Sequence, residues 1–341
     1  MRAVRMHRYG GPEVLQLELV PAPKPGPHDV RVAVRAAAVN PADCKIRAGG
    51  QRAVVWLSLP WTLGMDVSGE VLEVGAKVTA FKPGDQVVAS PSHRRMGCYA
   101  EEVVIRADEV ALKPPSLTHV EAASLPLVAL TAWDALVGSL ALQRGQRVLI
   151  QAGAGGVGSV AIQLAKHLGA EVLTTCSAAN AALVRTLGAD VVIDYRAQDW
   201  REVARCCDAV LDSLGGDALI GALSTVKRGG RVACITPGLP DFTERYGSVP
   251  GVAVFGGWMG ALMLRALVTR GVSVRLVTRR ASGENLAELM RLVERGALRP
   301  VIDRVLPLSE AAEAHRYLET GRARGKVVLE VTGAQPVASP E

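Results

Sequence analysis

Gln151-Ala152-Gly153-Ala154-Gly155-Gly156-Val157-Gly158 is the stretch on which the fold turns. Gly153, Gly155 and Gly158 stand in G-x-G-x-x-G spacing. The apolar run Arg147-Val148-Leu149-Ile150 just before it reads as a strand, and Val157–Leu168 just after it as a helix. Glycines between a strand and a helix permit the tight turn. They also let the backbone, with Gly156 and Val157, come close to a pyrophosphate at the positive end of the helix. The glycine spacing alone is a weak signal. Its strand–loop–helix setting makes it a dinucleotide-binding loop.

Working outward, strands and helices alternate downstream. Strand Glu171–Cys176 precedes helix Ala179–Leu187, and strand Val191–Asp194 follows. Strand Ala209–Asp212 leads to helix Ala218–Val226 and strand Arg231–Ile235. A helix Met259–Thr269 then leads to strand Val274–Val277. Alternation at these lengths predicts βαβ units and a parallel, doubly wound sheet. Helical segments are expected from His119 to Leu142. Upstream, short strands such as Val30–Arg35, Gly69–Gly75 and Gln86–Ala89 are set between turn signals, as in Lys82-Pro83-Gly84-Asp85. The tail, with helices Asn285–Arg295 and Ser309–Glu319 and strand Lys326–Val331, lies outside the βαβ pattern and is expected to return to the first region. Residues from Gly333 on are expected to be disordered.

The length of 341 residues suits two domains at roughly 100–200 residues each. The six cysteines form no C-x-x-C pair and sit in apolar segments, as reduced thiols do. No apolar run is judged to reach the about 20 residues that cross a bilayer. The first residues, Met1–His7, alternate like a strand and show no signal core. A cytoplasmic chain with no membrane partner is the expectation. The net charge of +6 comes from scattered arginines rather than a basic patch, so nucleic acid is not the expected partner.

NAD-binding folds carry an acid at the end of the second strand, about 20 residues past the glycines. Here the chain reads Thr174-Thr175-Cys176-Ser177. A carboxylate there would repel a 2′-phosphate, so its absence favours NADPH. Ser177 and Asn180 can donate hydrogen bonds, and Tyr195 can cover the adenine end. No Arg or Lys occupies Ala178–Ala182.

Motifs along the whole chain carry a resemblance. They include Gly10–Leu15, Val39-Asn40-Pro41-Ala42-Asp43, Gly64-Met65-Asp66-Val67-Ser68-Gly69, Glu121–Pro126, Leu130-Thr131-Ala132-Trp133, Leu187–Asp190 and Gly325–Leu329. The chain resembles the medium-chain dehydrogenase/reductase superfamily, in its zinc-independent quinone-oxidoreductase and enone-reductase branch. The resemblance implies an α/β fold: a discontinuous GroES-like, β-rich catalytic domain (1–122 and 281–341) and a Rossmann domain (123–280). It also implies a homodimer, because many relatives pair the edge strands of their Rossmann sheets. Carried over, Thr131, Gly238 and Val277 lie near the nicotinamide. Ser177, Asn180 and Tyr195 surround the adenosine phosphate, and Lys326 reaches the cofactor or shapes its pocket.

Zinc relatives place Cys where this chain has Asn40, and Gly-His-Glu where it has Gly64-Met65-Asp66; Ser124–Leu130 offers neither Cys nor His. Catalytic zinc wants three such ligands and an open position, so no metal is expected. Without a Lewis acid, the suited chemistry is hydride transfer to a quinone or to the C=C of an α,β-unsaturated carbonyl. The oxygen that gains charge then needs a donor. Lys45 is the candidate, against the plainer reading of a surface lysine paired with Asp43. Asn40 is the candidate for orienting the nicotinamide or the substrate carbonyl. His93 and His119 read as surface residues. Reduction of an enoyl thioester such as an enoyl-CoA remains open, with Arg52, Arg94-Arg95 and Arg279-Arg280 as phosphate contacts. So does a non-enzymatic, NADPH-binding role of structural or nucleic-acid-binding kind. Trp56 and Trp61 either line an apolar pocket or close the core.

Overall fold

The computed structural model of the chain describes residues 1–52, 55–236 and 238–331; the expectation of disorder from Gly333 falls outside these. A six-stranded parallel sheet runs in the order Val191–Asp194, Glu171–Cys176, Arg147–Ile150, Cys207–Asp212, Val226–Cys234, Ser273–Leu276. This is the doubly wound order expected from the alternation. Its central strand, Arg147–Ile150, is bare of polar side chains after Arg147, because helices cover both faces of a parallel sheet. Val148 and Ile150 enter one apolar cluster and Leu149 enters another. Burying each such side chain contributes roughly 1.5–3 kcal/mol.

A second sheet of seven strands is ordered Ile302–Pro307, Lys326–Glu330, Asp29–Val39, Val67–Val74, Gln86–Ala89, Val110–Leu112, with Glu102–Arg106 also pairing along Asp29–Val39. The tail strand Lys326–Glu330 thus lies antiparallel to residues 36–39. The strand Ile302–Pro307 escaped the sequence reading. It is an edge strand, partly exposed along its whole length, and carries Asp303 and Arg304 instead of a clean apolar alternation. The first residues form a small sheet with Leu15–Leu19 and Trp61–Thr62.

Three further expectations are corrected. The helix placed at Met259–Thr269 is a helix Leu239–Tyr246 followed by a helix Ser248–Arg270 of 23 residues. Pro250 and glycines at 251, 256 and 257 interrupt its N-terminal half, since both residue types are poor helix formers. That helix also overturns the view that no segment is long and apolar enough to cross a bilayer. Trp56 is 88% exposed and does neither of the jobs foreseen for it, whereas Trp61 packs against the core of the first region. All six cysteines are free thiols, five of them buried, with Cys206 exposed.

Candidate active site

The glycine loop is made by sterics that its sequence dictates. A Cβ on Gly158 would collide with the Ala152 carbonyl, and one on Gly153 with the Thr174 hydroxyl. Gly155 starts the turn as the residue before helix Gly156–His167, with its N–H on the Ala152 carbonyl at 3.0 Å. A Cβ on Gly156 would approach the Lys326 stem at 3.2 Å. The loop is pinned to the other sheet, because Gly325 N–H donates to Ala154 O at 2.8 Å.

Beside it opens a cleft of about 490 Å³ at the C-terminal ends of the parallel strands, where ligands of such sheets bind. Asn40, Lys45, Thr131, Val157, Gly238 and Val277 all line it. Gly238 adopts a left-handed backbone (φ 86°) as it starts the helix Leu239–Tyr246. Thr131 donates its hydroxyl to Leu127 O at 2.7 Å, back along its own helix. Val277 N–H holds Cys234 O at 2.9 Å. Ser177, Asn180 and Tyr195 stand apart from the cleft, at the ends of strands Glu171–Cys176 and Val191–Asp194. The Asn180 amide donates to Ser177 Oγ at 3.4 Å, and its own Oδ1 is buried without a partner. Tyr195 is half exposed, and Arg196 lies 5.6 Å over its ring. Arg196 is a cation just past strand Val191–Asp194, outside the segment Ala178–Ala182. Strand pairing sets Cys176 opposite Asp194, so the segment that carries Arg196 leaves the sheet beside the one that carries Ser177.

Under the cleft is a buried polar cluster. Asn40 is the N-terminal cap of helix Pro41–Ala48, with Asp43 completing a reciprocal capping box. The Asn40 amide donates to Asp66 Oδ2 at 2.9 Å and to Asp43 Oδ2 at 3.3 Å. Lys326, 4% exposed, donates to Asn40 Oδ1 and to Asp66 Oδ2, the latter at 3.1 Å. Asp66 Oδ1 accepts the Leu127 N–H at 2.6 Å. Burial raises the Asp66 carboxyl, against the pull of the Lys326 ammonium. Burial pushes Asp43 up to about 6. Sequence reasoning used Asp66 only as a missing zinc ligand. It placed Asp43 only in the plainer of two readings, as the partner of a surface Lys45. The signal it passed over was charge inside apolar runs, Met65-Asp66-Val67 and Gly325-Lys326-Val327.

The Lys45–Asp43 pair is therefore not formed: Asp43 is fully buried on Asn40, and Lys45 faces the cleft. Burial pulls the Lys45 ammonium below the ordinary lysine value, with Asp241 opposing. Arg279 lines the same cleft and is fixed by donating to Ser90 O and Pro91 O, both at 2.8 Å. His93, exposed, lines the cleft mouth, and its imidazole is held below its usual value by burial and then by Arg279. His119 is partly buried, not a free surface group, with Nδ1 at 2.8 Å from Ser68 Oγ. Among the described residues no carboxylate lines the cleft.

These residues do not fit zinc. The Asn40 amide, the Met65 thioether and an Asp66 already neutralised by an ammonium make no tetrahedral donor set, and no group of three His, Cys, Asp or Glu among the described residues is placed to hold a metal. They do fit a dinucleotide: glycine at 153 and 158 lets the loop pack tightly on Thr174 and Ala152 as it turns into the N-terminus of helix Gly156–His167, where a pyrophosphate is held.

Residues 26–115 match the alcohol dehydrogenase GroES-like domain family, and residues 187–329 the zinc-binding dehydrogenase family. The chain is 40% identical over 327 residues to the mitochondrial NAD(P)H oxidoreductase RTN4IP1 of Mus musculus, covering 89% of this chain and 82% of that protein. It is 35% identical to the chloroplastic NADPH-dependent alkenal/one oxidoreductase of Arabidopsis thaliana, covering 96% of this chain and 79% of the relative. The quinone oxidoreductase from Coxiella burnetii superposes with a TM-score of 0.84 at 35% identity, over 97% of this chain and 99% of that one. The chain belongs to the medium-chain dehydrogenase/reductase superfamily, in the quinone-oxidoreductase branch.

Proposed function

We propose that the chain is an NADPH-dependent oxidoreductase that reduces a quinone or the C=C of an α,β-unsaturated carbonyl without a metal. The observation that carries this reading is the cleft itself, which opens beside the glycine loop with Lys45 and Arg279 on its walls and, among the described residues, no carboxylate. NADPH, when bound, supplies the hydride.

Gly153, Gly155, Gly156, Val157 and Gly158 hold the pyrophosphate. Ser177, Asn180, Tyr195 and Arg196 hold the adenosine end. Thr131, Gly238 and Val277 shape the nicotinamide end. Conjugate reduction builds negative charge on the substrate's carbonyl oxygen, and a fixed cation there lowers the barrier. Lys45 meets that need, and its depressed pKa makes it a readier proton donor to the α-carbon. Arg279 is locked by backbone carbonyls and holds the oxygen side of the substrate. Asn40 is a positioning residue: its amide bonds Lys326, Asp66 and Asp43 and so fixes the floor under the substrate. Lys326 anchors that floor beneath the loop.

The sheet membership of the strands supports a division into 1–122 with 281–341 and 123–280. A homodimer and a reducing compartment such as the cytoplasm complete the reading; of the relatives named above, the oxidoreductase of Mus musculus is mitochondrial and that of Arabidopsis thaliana chloroplastic.

The test is NADPH oxidation against p-quinones, enones and short or branched enoyl-CoAs. Turnover of quinones or enones is expected, and it should survive a chelator. Saturation at micromolar enoyl-CoA with poor use of free enones would move the substrate to thioesters. Tight NADPH binding without turnover of any of them would overturn the enzyme reading.

A further inference from the structure

The short helix Leu239–Tyr246 follows strand Val226–Cys234 of the parallel sheet, yet it touches the other side of the cleft. Leu239 and Pro240 line the cleft. The Thr243 hydroxyl shares its proton between Pro240 O at 2.9 Å and Gly50 O at 3.3 Å. A Cβ on Gly50 would meet the Pro240 ring at 3.3 Å, so the two segments pack as closely as glycine allows. Gly50 N–H in turn donates to Lys45 O at 3.1 Å, at the end of the helix Pro41–Ala48 that carries Lys45. On its other side the helix Leu239–Tyr246 is held by Phe242, which stacks on Phe255 and Trp258 at 5.6 and 5.5 Å between ring centroids. It is a strap from one sheet to the helix of the other. Asp241 lies between Pro240 and Thr243 on this strap and is exposed.

We propose that Asp241 is the counter-ion of Lys45, carried to the cleft by the strap, and that it keeps the ammonium of the cleft charged. The other ionisable groups around Lys45 are engaged, neutral or of the wrong sign. Asp43 is turned to Asn40. Glu319, which shares a groove with Lys45, is bonded to Arg47 at 2.5 Å. Burial pushes the Cys44 thiol up to about 12, so it carries no charge at neutral pH. Arg279 lies across the cleft and repels an ammonium, and His93 at the mouth is held below its usual value. Arg52 lies over the Tyr9 ring, 3.8 Å from its centroid. That leaves Asp241, whose charge acts on Lys45 against the effect of burial.

The placement suits the work. A carboxylate inside the cleft would compete with a substrate oxygen for the ammonium. One on the rim favours the charged form through space and leaves the Lys45 Nζ free to donate. Because the two residues come from different sheets, the charge on Lys45 is fully supported only while the strap is docked on Gly50.

The inference rests on the proposed reaction only for what Lys45 then does, and the counter-ion is tested without a substrate. Competitive labelling of the full chain with acetic anhydride across a pH series, read at Lys45 by mass spectrometry, titrates this one amine. Asp241→Asn should move the titration to lower pH, raising the label by roughly three- to tenfold at a pH on the rising part of the wild-type curve. Asp241→Glu should restore most of the wild-type curve. Thr243→Val, which loosens the strap, should move it in the direction of Asp241→Asn but less far. Glu244→Gln removes an exposed charge from the same helix and should not move it. The alkaline limb of kcat should shift in the same order. An unmoved titration in Asp241→Asn overturns the counter-ion. So does an unmoved titration with a lowered Tm, which would confine Asp241 to the first turn of its helix, where an acid favours the helix dipole. A titration that moves while the limb of kcat stays in place upholds the counter-ion and overturns Lys45 as the donor in the proposed reaction.

Discussion

On the sheet side of the cleft, the groups offered to a ligand are backbone N–H groups, held in place by glycine sterics and by apolar strands buried on both faces. Under the cleft the polar groups are buried side chains held by one another: the Lys326 ammonium by Asp66 and the Asn40 amide, and Asn40 by Asp43. The first wall tolerates change wherever a residue keeps its size. The buried floor does not, because a buried charge that loses its partner has no water to turn to. The difference locates where each kind of damage should appear: as weaker cofactor binding on one side, as lost stability or lost turnover on the other.

The largest effect is expected from Lys326→Met. The side chain is 5% exposed and its partner Asp66 is wholly buried. Removing the ammonium should cost about 3–5 kcal/mol of unfolding free energy in urea titration. Adding Asp66→Asn should recover part of that loss, because a neutral amide needs no counter-charge. Additive losses in the double variant would mean that the two residues act separately.

Lys45→Ala should leave stability and NADPH affinity nearly intact and lower kcat by roughly 10²–10³, the scale of losing one oxyanion donor. Its pH behaviour follows from the direction of the shift. The ammonium is the active form and its pKa lies below the ordinary lysine value. Activity should hold at low pH and fall as pH rises through that lowered pKa, at a less alkaline pH than for an exposed lysine. Lys45→Ala should abolish this alkaline limb. Normal kcat in Lys45→Ala would shift the oxyanion role to Arg279.

The smallest effect concerns the far end of the first wall. NADPH should bind at least about tenfold more tightly than NADH, worth ~1.4 kcal/mol. Arg196→Ala should erode that preference, and Ser177→Asp should reverse it by repelling the 2′-phosphate. Equal Kd values for both cofactors in the wild type would remove the basis for the reading at Ser177 and Arg196.

The glycine loop, the strand–helix alternation around it and the absence of an acid before Ser177 were all legible in the sequence. Each depends on neighbours within about 20 residues, where spacing and sterics act directly. The charged floor was not legible, because residues 40, 43, 66 and 326 come together only when the tail strand Lys326–Glu330 pairs beside Asp29–Val39. Lys45 could be picked as a candidate from its segment. Only the fold decided that Asp43 turns inward to cap Asn40 and leaves Lys45 facing the cleft. The register of two strands, Cys176 opposite Asp194, sets the segments that carry Ser177 and Arg196 side by side. The helix Ser248–Arg270 shows the same limit: its composition permits a core helix, a membrane helix or an interface. Which face is buried is settled by tertiary packing alone, since hydrophobic attraction is non-directional and takes its direction from the surfaces that the fold brings together.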